Sequence, residues 1–101
     1  MGMQTDVLAS GVRTTDGLLT NQAGDAIGRA RVKSILIIPA AGAGSVVFKD
    51  GGASGATKMT INTLASSSNA NYTLLPGEGV LFSTNIYVDV TDVTSVMVFY
   101  G

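Results

Sequence analysis

Apolar residues along this chain come in short bursts rich in β-branched side chains, parted by Gly, Ser, Asn and Asp, and no segment sustains a 3.6-residue period. The bursts therefore predict strands. The first runs from Val7 to Thr15, with a turn at Asp16-Gly17 and a return through Leu18 and Leu19; Asp-Gly suits a two-residue hairpin because both central positions need positive φ. The flanks alternate poorly, so residues 1–28 read as an N-terminal arm or hairpin beside a main domain over 29–101. Arg29 to Ile38 alternates clearly. Its even positions, Ala30, Val32, Ser34, Leu36 and Ile38, form a face expected to be buried throughout; its odd positions begin with Arg29, Arg31 and Lys33 and end with Ile35 and Ile37. Pro39 closes the strand, since proline donates nothing to a ladder.

After a flexible connection at 40–44, Ser45 to Lys49 predicts a strand with Val46 and Phe48 on one side. Thr57 to Thr63 predicts the next, with Met59 and Ile61 inward and Lys58, Thr60 and Asn62 outward. Residues 65–71 read as a polar loop, Tyr72 to Leu75 as a short strand, and Pro76-Gly77-Glu78-Gly79 as a turn. A long strand follows, with Val80, Phe82, Thr84, Ile86, Val88 and Val90 on one face. The last, Ser95 to Tyr100, is apolar on both faces, Val96 and Val98 against Met97 and Phe99. Such a strand must be covered twice, as a central strand or at a subunit contact. Six to eight short strands at this spacing predict an all-β fold, a small antiparallel sandwich or barrel of jelly-roll or immunoglobulin-like size.

Composition adds a question about the surface. The chain has 101 residues, enough for a single globular domain, yet it is 46% hydrophobic and only 13% charged. The charged share is about half the usual one. A small body has much surface, so part of it is expected to lie against other subunits. A net charge of −1 gives no bulk attraction to nucleic acid or acidic lipid, and neither partner is expected. The longest apolar run, Ile35 to Ala41, is too short for a membrane-spanning helix. Residues 1–6 do not read as a secretory signal.

The stretch "KDGGASGATKMT", residues 49–60, raises the possibility of a phosphate-binding loop. Such a loop needs Gly, four residues, Gly-Lys-Ser/Thr and then a helix whose first amides hold the phosphate. Here two residues stand between Gly55 and Lys58, and the following residues alternate as a strand. A hairpin tip is the expectation. Histidine and cysteine are both absent, which removes His-based metal sites, zinc knuckles, Ser-His-Asp triads and thiol nucleophiles. No serine precedes Lys33, Lys49 or Lys58 by three residues, so a Ser-x-x-Lys dyad is missing too. No enzyme activity, cofactor or metal is expected. Asp89 and Asp92 are too few for calcium, which takes six to eight oxygens. Arg29, Arg31 and Lys33 read as a solvated or edge-protecting row, because no aromatic residues interleave with them. Asn71-Tyr72-Thr73 has the form of a glycosylation sequon, without the signal peptide that would give it meaning. Tyr87, with Asn85 and the Gly-rich loop, offers a rival reading as a glycan-binding module of a fibre.

Three phrases, "SVVFKDGGASGATKMTINT", "LLPGEGVLF" and "NIYVDVTDVTSVMVFYG", resemble those of small β-rich virion proteins of tailed phages that infect marine bacteria and cyanobacteria. The resemblance implies a non-enzymatic structural part of a particle, assembled in the host cytoplasm. A capsid decoration or cement protein comes first, and a small tail or head-tail component second. It further implies a homo-oligomer, with a trimer expected, seated on the major capsid protein or another virion protein. In that reading Val96, Met97, Val98, Phe99 and Tyr100 carry the contacts together with Val7 and Leu8.

Overall fold

The computed structural model describes residues 7–63, 71–75, 77 and 79–101. Residues 1–6, residues 65–70 of the expected polar loop, and Pro76 and Glu78 of the expected turn lie outside the described residues; Asn71, expected to end that loop, instead begins a strand. Nine strands are present among the described residues: β1 Leu8–Ala9, β2 Gly17–Leu18, β3 Ala30–Pro39, β4 Gly44–Asp50, β5 Ala56–Thr63, β6 Asn71–Leu74, β7 Val80–Phe82, β8 Tyr87–Thr91 and β9 Val93–Tyr100. Every pairing is antiparallel. A five-stranded sheet runs β1-β9-β3-β6, with β7 also pairing with β3, and a four-stranded sheet runs β2-β8-β4-β5. The all-β antiparallel class read from the pattern is the observed one. The count exceeds six to eight because two strands are only two residues long and because the long strand expected from Val80 to Val90 is divided.

That division has a simple cause. Val80 to Phe82 pair with β3 in one sheet, and Tyr87 to Thr91 pair with β4 in the other. Phe82, Ile86 and Val88 stay buried as the chain crosses, so the period-two pattern survives while the pairing partner changes. Asp92 makes the second crossing, at a φ of 50° between β8 and β9. The neighbouring Gly44 packs so tightly on the Thr91 and Asp92 carbonyls that a Cβ there would collide with both oxygens.

The core lies between the sheets. Phe48, Val46 and Val88 from the four-stranded sheet meet Val32, Ile35, Ile37, Val96, Val98 and Phe82 from the five-stranded one. Leu19, Ile27 and Ile86 close it from the connections. The expected inward positions on β4 and β5 hold: Val46 and Phe48 are buried and Met59 and Ile61 half-buried, while Lys58, Thr60 and Asn62 are exposed. On β3 the expectation of one buried even face is corrected. Ala30, Val32 and Ser34 are buried as expected, but beyond them it is Ile35 and Ile37 that are fully buried, with Leu36 half-buried and Ile38 38% exposed. The pairing with β9 steps from Val32↔Tyr100 to Ser34↔Phe99, so Lys33 is an extra residue in β3. One inserted residue reverses which positions look inward.

The stretch expected as an arm or hairpin is divided between the two sheets. Leu8, Ala9 and Arg13 pair with β9, and Gly17 and Leu18 pair with β8. Between Ala9 and Arg13 the ladder is interrupted. There the buried Ser10 donates its amide to Val98 at 2.9 Å, and its Oγ accepts the Val98 amide at 2.9 Å, so a side chain replaces a missing carbonyl. The following loop folds around the Arg13 guanidinium, which donates to the carbonyls of Thr15 (2.9 Å), Asp16 (2.7 Å) and Leu18 (3.4 Å). Asp16 Oδ1 accepts the Val90 amide at 2.7 Å and ties the loop to β8.

Candidate interaction surface

Residues paired across antiparallel strands point to the same side of a sheet, so the pairing defines both outer faces. On the four-stranded sheet the outward rows are Thr91–Ser45–Asn62, Asp89–Val47–Thr60 and Leu18–Tyr87–Lys49–Thr57. This face is mostly hydroxyls, amides and charges, with Val47 among them and Leu18 beside Tyr87 at one edge. Lys49 and Asp89 approach to 3.9 Å across it, a partly exposed pair at long range that contributes little.

The five-stranded sheet turns a different face outward. Its central row is Tyr72–Leu36–Met97, flanked by Ile38–Ser95 on one side and by Ser34–Phe99–Ala9 on the other. Tyr72 is 58% and Ile38 38% exposed; Leu36, Met97 and Phe99 are half-buried by their neighbours alone. Val12, beside the Arg13 bridge to Val96, is 64% exposed at the edge of the same sheet. Nothing charged interrupts the three rows.

The expected contact residues separate on this geometry. Val96, Val98 and Tyr100 point into the core, while Met97 and Phe99 alternate with them to the outer face. Val7 and Leu8 are about half exposed, and Leu8 borders a cavity of 310 Å³ at the end of the sandwich with Ile27, Arg29 and Tyr100. The members that the sequence did not offer as contacts are Leu36, Ile38 and Tyr72. Leu36 and Ile38 were assigned inward, and only the bulge at Lys33 turns them out.

The Gly-rich stretch is the tip of the β4–β5 hairpin, as expected. Gly51 and Gly52 have φ of 109° and 90°, a region open to glycine, and the Gly55 amide donates to the Gly52 carbonyl at 2.9 Å. The tip is fastened to the β7–β8 crossover by a reciprocal clasp. Asp50 accepts the Ser83 amide (2.9 Å) and the Thr84 amide (2.8 Å), with Asn85 longer at 3.4 Å; Asn85 Oδ1 in turn accepts the amides of Gly51 and Gly52, both at 3.1 Å. The Ser83 and Thr84 amides hold the Asp50 carboxyl below its usual range, aided by the Asn85 amide and by Lys58. The carbonyl of Asn85 is thus committed to the scaffold, which leaves the glycan reading with a half-buried Tyr87 set between Leu18 and Lys49. Asp89 and Asp92 do not gather further acids, and no cluster of three metal-ligating side chains occurs among the described residues.

No known protein family, curated protein or solved structure matches this chain.

Proposed function

We propose that this protein is a structural component of a tailed-phage virion, a capsid decoration or cement protein that seats the outer face of its five-stranded sheet on the particle. The observation that carries the reading is the row Tyr72–Leu36–Met97 with Ile38 and Phe99 beside it, an apolar face on a protein whose other sheet is polar outside. Magnitude supports an assembly role. An apolar patch on the order of 300 Å² yields about 7 kcal/mol at ~25 cal/mol per Å². Association consumes roughly that much or more, so a single copy on this patch binds weakly. Copies linked to one another, or repeated over a regular lattice, gain the rest through effective concentration. A homo-oligomer facing a repeating partner satisfies that requirement, and the sparse charge of the chain suits it.

The test offers the full-length protein to heads assembled from the major capsid protein encoded in the same genome, and separately to purified tails. Decoration expects saturable binding to heads in a fixed ratio to capsid subunits, with none to tails. Binding to tails alone would move the protein to a tail or head-tail position, and binding to neither would overturn the virion reading.

A further inference from the structure

The sandwich has one long free edge among its described residues. On the five-stranded sheet the edges are β1, of two residues, and the short pair β6 and β7; on the four-stranded sheet one edge is β2, again of two residues, and the other is β5, of eight. A strand edge presents unpaired amides and carbonyls, and natural proteins blunt long ones with charge, bulges or proline. In β5 the blunting stands at one end only. The pairing with β4 skips Lys58, which makes it both a bulge and the strand's single charge, and Met59 to Thr63 continue without a break or a proline.

We infer that this edge pairs with the β5 edge of a second copy, antiparallel about a two-fold axis through Thr60. The sequence is self-complementary in that register. Thr60 faces Thr60, Met59 faces Ile61 and Lys58 faces Asn62. The two half-buried apolar residues thereby extend the inner rows Val88–Phe48–Met59 and Val90–Val46–Ile61 into the partner. The two lysines stay roughly 13 Å apart along the strands, beyond the ~8 Å screening length at physiological salt, so no like charges oppose the contact. The product is one continuous eight-stranded sheet with a polar outer face. The contact is isologous and closes at two copies, which puts a dimer in place of the expected trimer. It stands independently of the virion reading, since it uses neither the outer face of the five-stranded sheet nor a capsid.

The chain contains no cysteine, so crosslinking reads the register directly. Facing Cα atoms in an antiparallel pair lie about 4.5–5.5 Å apart, within the 4.4–6.8 Å span of a disulfide. The wild-type chain is expected to sediment at about twice its 10.3 kDa mass. Thr60→Cys is expected to form an intermolecular disulfide under mild oxidation, whereas Asn62→Cys, whose symmetry mate lies far along the strand, is not. Thr60→Lys places two ammonium groups face to face on an exposed position and is expected to give a folded monomer. A wild-type monomer at 100 µM (a concentration of about 10⁻⁴ M, at the weak end of specific association), a trimer, a Thr60→Cys dimer that never crosslinks, or a dimer that persists in Thr60→Lys would each overturn the pairing. Failure of head binding with an intact dimer would count against the virion reading alone.

Discussion

Along β4, Ser45, Val47 and Lys49 look outward between Thr91, Asp89 and Tyr87 on one side and Asn62, Thr60 and Thr57 on the other. Along β3, Leu36 looks outward between Met97 and Tyr72, with Ile38 and Phe99 in the adjoining rows. The inner faces of these two sheets are alike, both built from Val, Ile and Phe, and they share one core. The difference is confined to the outside. Strands that need only fold are apolar at every second position; in the five-stranded sheet Ile35 to Ile38 of β3 and Val96 to Tyr100 of β9 are apolar at both. Folding explains the first pattern and leaves the second without a purpose inside the monomer, which is why the outer face of β3, β6 and β9 bears the proposed contact.

The contrast can be sharpened from the inside outward. If the inner faces are equivalent, Phe48→Ala and Phe82→Ala, one from each sheet and both fully buried, should each destabilise by about 3–5 kcal/mol in urea titrations. That is a large part of the roughly 5–15 kcal/mol typical of a domain, and both variants should approach the unfolding limit. A loss near zero at either site would mean that the sheets do not share a core. A smaller effect tests the corner where the chain passes between them. Gly44→Ala forces a Cβ against the Thr91 and Asp92 carbonyls, and about 1–3 kcal/mol should be lost.

The sequence made the inner faces readable and the outer contrast only half so. Alternation is a local signal, and it identified Val46, Phe48, Phe82, Ile86 and Val88 because each lies on a strand whose parity is unbroken or is preserved across a sheet change; on the last strand, apolar on both faces, it did not say that Val96 and Val98 look inward. Met97 and Phe99 were visible as a second apolar face on the last strand. Leu36 and Ile38 were not, because their direction depends on the extra residue Lys33, and that insertion is defined by the pairing of Ser34 with Phe99, 65 positions further along the chain. The same limit hid the Asp50–Asn85 clasp, whose partners stand 33 to 35 residues apart. An Asp before two glycines announces a turn. What the turn grips is decided by tertiary structure.

The clasp gives a pH prediction on the polar side of the comparison. Asp50 ionises below its ordinary value of 3.8 in the folded chain. Its stabilisation is therefore fully present above that value and is lost as pH falls through the lower folded one. Acid titration of stability should show this loss in the wild type and a shallower profile in Asp50→Asn, the two slopes differing only below about pH 4. A parallel pair of profiles would mean that the carboxylate is not held by the Ser83 and Thr84 amides. The smallest expected change comes from the outer faces themselves. Ile38→Glu, Tyr72→Glu and, on the opposite sheet, Thr91→Glu should each alter unfolding free energy by about 0.5 kcal/mol or less, because all three side chains are exposed.

Those three substitutions, nearly silent in stability, separate the faces in function. Occupancy of each variant on assembled heads, measured by co-sedimentation against the wild-type chain, puts the central claim to the test. Burying a carboxylate in an apolar contact is costly, so Ile38→Glu and Tyr72→Glu are expected to weaken head binding by about tenfold or more, corresponding to ~1.4 kcal/mol. Thr91→Glu should bind as the wild type does. Equal binding by all three, or a loss seen only with Thr91→Glu, would contradict the assignment of the apolar sheet as the docking face.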